Sequence, residues 1–212
     1  STYGCAVAGS LPPLFGSYRP DLFIPDRAPA LLGIIIDALS PHVDLWLAET
    51  VSSVEEAEVL ADVLSGDGRP LWISFTHLDG RQSKKEAPCL RSGEKVVDLV
   101  SSVVACGAEA LLFNCSQPEV MESAVQTAVS ELERVGAELS IGVYANAFPP
   151  QEKNAQADSD ICRIRDDLDP AGYLAFVDRW ICKGATIVGG CCGIGPEHIA
   201  LLKDSLKTAK KR

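Results

Sequence analysis

Long apolar runs are missing from these 212 residues. Nothing approaches the ~18 consecutive apolar positions of a membrane-spanning helix. The first residues, Ser1-Thr2-Tyr3-Gly4-Cys5, lack the basic stretch and apolar run of a secretory leader. Neither membrane insertion nor export is expected, and the reading is of a cytoplasmic protein. Positive charge is also scarce: 19 Lys and Arg face 29 Asp and Glu, for a net charge of -10. Such a surface repels phosphate backbones and anionic lipid, which argues against nucleic-acid and membrane partners. The one basic cluster, residues 207–212, reads as a solvated helix terminus. A linker is missing too, so residues 1–212 read as a single domain, long enough for a sizeable core.

What is present is a repeating unit. Apolar, β-rich runs at 5–11, 43–50, 71–76, 110–115, 140–146 and 185–190 alternate with longer helical patterns. The runs are continuous rather than strictly alternating, as expected of strands buried on both faces of a parallel sheet. Helix starts are marked by Ser53-Val54-Glu55-Glu56, Ser116-Gln117-Pro118-Glu119, Asp169-Pro170 and Gly195-Pro196-Glu197. Helix ends are marked by Gly107, Gly136 and Gly184, each followed by Ala and the next strand. The polar stretch 149–169 reads as an excursion from the loop face. Both a (β/α) barrel and an open doubly wound α/β sheet fit this pattern, and in either one functional residues gather at the C-terminal ends of strands. Glu49, Thr76, Cys115, Asn146, Cys191 and Cys192 fall at such ends.

Eight cysteines are many for a chain that needs no disulfide staples. Cys106 and Cys182, near the ends of apolar helical stretches, read as inert core thiols, and Cys5 as similar. Cys89 and Cys162 lie in polar segments with no evident chemistry. Cys115, Cys191 and Cys192 each follow an apolar strand. Neighbouring residues on a regular strand point to opposite faces, but Gly190 and Gly193 free the backbone so that both sulfurs can converge. With Cys115 they make three thiolates, which suit a tetrahedral zinc with one position left open. The spacing Cys-x-x-Cys of a zinc ribbon is absent. The competing readings are a reversible Cys191–Cys192 disulfide in a redox or metal-binding module, and a tight turn of small residues. Among the other residues, Glu49 fits an ammonium anchor or an acidic neighbour of the next helix. Asn146 fits a substrate contact or a loop cap, and Ser10 a substrate contact or a turn residue. Thr76 fits a substrate contact or a backbone partner. His77 and His198 read as ordinary loop and helix-start residues, and Trp72 and Phe75 as core.

At this point the motifs resemble those of a known family. Residues 188–196, centred on Gly-Gly-Cys-Cys-Gly, are similar to the C-terminal zinc motif of the homocysteine S-methyltransferases, and Phe113-Asn114-Cys115 to their earlier ligand motif. Ala8-Gly9-Ser10-Leu11-Pro12-Pro13 with Tyr18, Ala48-Glu49-Thr50, Trp72-Ile73-Ser74-Phe75 and Arg91-Ser92-Gly93-Glu94 follow the family's order. Tyr144-Ala145-Asn146-Ala147 departs from its usual Pro-Asn form. The resemblance implies a (β/α)8 TIM-type barrel lacking, in this chain, its first two βα units. It implies Zn2+ on Cys115, Cys191 and Cys192, and homocysteine as the methyl acceptor. Glu49, Asn146, Ser10 and Thr76 would be the substrate-binding residues. The Pro-Pro-Leu-Phe-Gly-Ser-Tyr stretch looks most like the branch that uses a methylated sulfonium donor, S-methylmethionine or S-adenosylmethionine, giving methionine. A non-catalytic barrel remnant is the remaining alternative.

Overall fold

The computed structural model describes residues 4–80, 87–152 and 163–209. Six strands and six α-helices alternate along it. The strands are β1 (Ala8–Leu11), β2 (Leu45–Val51), β3 (Leu71–Phe75), β4 (Ala110–Asn114), β5 (Ser140–Tyr144) and β6 (Ile187–Val188). The helices are α1 (Ala28–Leu39), α2 (Val54–Val63), α3 (Val96–Ala105), α4 (Pro118–Val135), α5 (Pro170–Cys182) and α6 (Pro196–Ala209). Every expected strand is found. β6 is shorter than expected: Gly189 still donates its N–H to Val143 O of β5 at 3.0 Å, and the following residues form the loop. No helix among the described residues is long and apolar enough to cross a membrane.

All pairings are parallel and the sheet order is β1-β2-β3-β4-β5-β6. Each helix packs against the next one in sequence, from α1 to α6. This decides between the two architectures. A doubly wound sheet reverses its strand order and puts helices on both faces. Here the order never reverses and the helices form one continuous layer, as in a segment of a TIM-type barrel. Among the described residues β1 and β6 are not paired with each other, so the sheet stays open.

Alternation along the strands sorts side chains to two faces. Leu11, Trp46, Ala48, Ile73, Phe75, Leu111, Phe113, Ile141 and Val143 meet Leu32, Leu60, Leu99, Val125, Val177 and Trp180 from the helices in one buried cluster. The other face carries Ser10, Leu47 and Trp72 in one register and Ser74, Leu112, Gly142 and Ile187 in the next. This is the face a barrel turns inward. Phe75 is core as expected, whereas Trp72 is half-buried on the inner face.

Three caps follow the sequence signals. Ser53 Oγ accepts from Glu56 N at 3.2 Å, and Asp169 Oδ1 from Gly172 N at 2.7 Å. His198 Nδ1 accepts from Gly195 N at 3.1 Å, the helix-start role expected of it. The fourth does not: α4 starts after Gln117 with no side-chain cap, because Ser116 Oγ is drawn into the β3–α3 loop, where it accepts from His77 N at 2.8 Å. Two cysteine assignments also change. Cys182 and Cys5 are exposed rather than core: Cys182 faces outward at the end of α5, and Cys5 precedes β1. Cys162 lies outside the described residues.

Candidate metal centre and substrate pocket

Two loops bring the sulfurs together. After β6 the chain turns through Gly190-Cys191-Cys192-Gly193. A Cβ on Gly190 would collide with Ile194, and Gly193 has φ +82°, so both glycines are required by the path. The turn is stitched to the β5 loop by Cys191 N to Ala145 O at 3.0 Å and Ala147 N to Cys192 O at 2.8 Å. Cys115 follows β4 with φ +49°, and its N–H reaches Tyr144 O at 3.4 Å. The three sulfurs lie within 4.8 Å of one another.

Cys191 and Cys192 have their sulfurs 3.9 Å apart. Thiolates about 2.3 Å from a tetrahedral metal are separated by about 3.8 Å. Cys115 and Cys191 are in disulfide contact, with Cα atoms 5.8 Å apart. The bonded neighbour of Cys191 is thus Cys115 from another strand, not the adjacent Cys192 of the redox expectation. Cys115 is buried and Cys192 exposed, so the cluster has a protein side and an open side. With the Cys115–Cys191 pair reduced to thiols, three sulfur donors converging from two strand ends can hold a metal ion.

A polar chain runs along the inner rim. Ser10 Oγ donates to Glu49 Oε2 at 2.7 Å. The β2 register shifts between Ala48 and Val51, and Thr50 has φ +61°. This bulge re-aims Glu49, at a cost for a β-branched residue. Asn114 holds it: its Nδ2 donates to Thr50 Oγ1 at 2.8 Å, while its Oδ1 accepts from Ser74 Oγ at 2.7 Å. The Tyr144 hydroxyl lies against Glu49 and Ser74. Burial, and then the Glu49 carboxylate, push its pKa up, so the phenol stays protonated.

The remaining expected residues take different places. Asn146 is fully buried between the two cysteine loops, with its N–H on Ser116 O at 3.1 Å and its Oδ1 accepting from Phe148 N at 3.2 Å. Its Nδ2 has no protein partner. Thr76 is also fully buried, and its hydroxyl pairs with Ser116 Oγ at 3.0 Å, so it braces the Cys115 loop from within. His77 is buried against Phe113, and its pKa falls to about 3 through burial and the nearby Arg91. It is neutral and not a metal-facing residue. Thr50, Asn114 and Tyr144 stand in the motifs read from the sequence without a role of their own there, and each adjoins or nearly adjoins a candidate site residue.

Residues 4–206 match the homocysteine S-methyltransferase family model. Selenocysteine methyltransferase from Astragalus bisulcatus is 27% identical over 160 residues, covering 74% of this chain and 43% of that protein. Homocysteine S-methyltransferase 4 from Zea mays is 28% identical over 171 residues, covering 79% of this chain and 45% of that protein. The chain therefore spans about half the length of the curated relatives it matches. The fold is also that of the homocysteine methyltransferase MmuM from Escherichia coli, with a TM-score of 0.64 at 24% identity, over 94% of this chain and 62% of that one. Nearly the whole chain lies within that match, and on this ground it belongs to the homocysteine S-methyltransferase family.

Proposed function

We propose that this chain carries the zinc- and homocysteine-binding site of a methyltransferase that uses a sulfonium donor. The observation that supports this most is the convergence of Cys115, Cys191 and Cys192 at one rim of the sheet, which also carries Glu49. A zinc ion held by the three cysteines would supply a Lewis acid that lowers the pKa of an incoming thiol from about 8.5. Glu49, oriented by Ser10, offers a carboxylate to the ammonium group of homocysteine. Tyr144, kept protonated, can donate a hydrogen bond there. Asn146 Nδ2, a buried donor without a protein partner beside both cysteine loops, is suited to a substrate oxygen. Thr76 acts on this reading through the Cys115 loop rather than by contact. The overall reaction moves a methyl group from the sulfonium sulfur to the homocysteine thiol. It yields methionine, a neutral thioether and a proton. We also propose that residues 1–212 form one homocysteine-binding barrel domain in which two further βα units would pair between β6 and β1. The chain's short Pro-rich loop after β1 supports S-methylmethionine or S-adenosylmethionine as donor.

The test is metal content after purification under reducing conditions. About one zinc per chain is expected, with loss in Cys115→Ser, Cys191→Ser and Cys192→Ser alike, and with methionine formation abolished in each. Zinc-free reduced protein that takes up no added zinc would end the metal reading. The Cys115–Cys191 contact supports a second, redox reading, which predicts that mild oxidation removes two thiols, that Cys192→Ser leaves this unchanged, and that no methyl transfer occurs.

A further inference from the structure

One buried charged network has no part in the reading above. Asp79, in the loop after β3, pairs with Arg91 at 3.2 Å, and both side chains are fully inaccessible. Asp79 Oδ1 accepts from Gln117 N at 2.9 Å, at the start of α4 and two residues beyond Cys115. The Gln117 side chain answers, its Oε1 accepting from Gly80 N at 3.0 Å. Asp79 Oδ2 accepts from Gln151 N at 3.1 Å, in the loop after β5. Arg91 donates to Glu152 O at 3.2 Å, and its guanidinium lies 4.4 Å over the ring of Tyr18, in the loop after β1. One ion pair thus ties together the loops after β1, β3, β4 and β5.

Such a pair is a poor device for stability, since desolvation offsets most of its Coulomb attraction and apolar side chains of equal volume do as well. It is a good device for geometry, because a carboxylate and a guanidinium fix several directional bonds at once. Geometry is what the neighbouring cysteine needs. Cys115 sits at φ +49°, unfavourable for a residue with a Cβ, and its own backbone bonds are long: 3.4 Å from its N–H to Tyr144 O and 3.5 Å from Thr76 Oγ1 to its carbonyl. The short bonds that hold this turn are made by Ser116 and Gln117, and the Gln117 anchor is Asp79.

We propose that Asp79 and Arg91 are positioning residues for the metal ligand Cys115, setting its sulfur against those of Cys191 and Cys192. The proposal rests on the zinc reading, so the wild-type chain is measured first. Zinc affinity is read by competition with a chromogenic chelator, and ligand geometry by the visible absorption of the cobalt(II)-substituted chain. The variants are Asp79→Asn, Arg91→Met and the milder Arg91→Lys. Val177→Ala, in the α5 core away from these loops, is the control for general destabilisation. Asp79→Asn and Arg91→Met are expected to weaken zinc binding about 10- to 100-fold and to alter the cobalt spectrum. Arg91→Lys should recover part of the affinity, and Val177→Ala should keep wild-type affinity despite a lower Tm. If a wild-type chain binds zinc and the Asp79 and Arg91 variants bind it equally well with the same cobalt spectrum, the positioning role is wrong and the zinc site stands. An equal loss in Val177→Ala would likewise refute positioning. A wild-type chain that binds no zinc overturns both.

Discussion

Thr50, near the end of β2, and Cys115, just past the end of β4, both lie in the left-handed region, at φ +61° and +49°; Thr50 adjoins Glu49, and Cys115 is one of the three clustered cysteines. Strain of this kind persists only where neighbours over-determine it. For Thr50 the neighbour is Asn114, whose amide is fully buried. Thr50→Val keeps the shape but leaves that donor unpaired, so a loss of about 1–3 kcal/mol is expected in urea unfolding. An unchanged midpoint would mean that the Asn114 bond does not hold the bulge. Glu49→Gln keeps size and the Ser10 contact but removes the charge. A charge-assisted bond is worth roughly 1.5–3 kcal/mol, so KM for homocysteine should rise about 10- to 100-fold. Bound zinc should stay at the wild-type level, because Glu49 is not among the clustered donors. Loss of zinc in this variant would place Glu49 in the metal site instead.

At the scale of one element, α2 shows how a helix start becomes a titrating group. Ser53 caps the helix, and Glu56 folds back to accept from Ser52 N at 2.6 Å, one residue earlier than in the usual reciprocal box. That return buries the carboxyl against Pro12, Pro13, Phe23 and Leu60 with one oxygen unpartnered. Burial, opposed by the bonds from Ser52 and Ser53 N–H, raises its pKa from 4.5 to about 7. The unfolded chain therefore releases this proton first. Between pH 4.5 and 7 the folded form holds a proton that the unfolded form has lost, so the Glu56 contribution to stability falls as pH rises through that window. The full loss is roughly 3 kcal/mol. Glu56→Gln should match the wild type near pH 4.5 and exceed it at pH 8. Thermal unfolding across this range checks it, and parallel curves for the two proteins would refute the assignment.

At the scale of the whole molecule, the sheet presents β1 and β6 as unpaired edges among the described residues. The helices beside those edges leave large apolar side chains in solvent: Leu31 and Ile34 on α1, with Ile34 69% exposed, and Ile199 and Leu206 on α6. Open edges and apolar patches favour association. These 212 residues alone are expected to self-associate in a concentration-dependent way, measured by light scattering. Ile34→Lys combined with Ile199→Lys should reduce it. A strictly monomeric wild type would show that the edges are masked by some other means.

Periodicity alone was enough for the six strands, because an apolar run buried on both faces needs no partner to be recognised. The caps at Ser53, Asp169 and Gly195 were equally legible, since their chemistry is local, and the cysteines stood out by their place after strands. Tertiary structure decided what depends on distant neighbours. Ser116 leaves its expected cap because His77, far along the chain, offers its N–H. Thr76 turns inward to Ser116, and Asp79 and Arg91 acquire their partners from four loops. The choice of barrel over doubly wound sheet came from strand order, which local pattern does not encode. Hydrophobic spacing and capping act within a few residues; the convergence of Cys115 on Cys191 and Cys192, across 76 residues of sequence, is a property of the sheet that carries them.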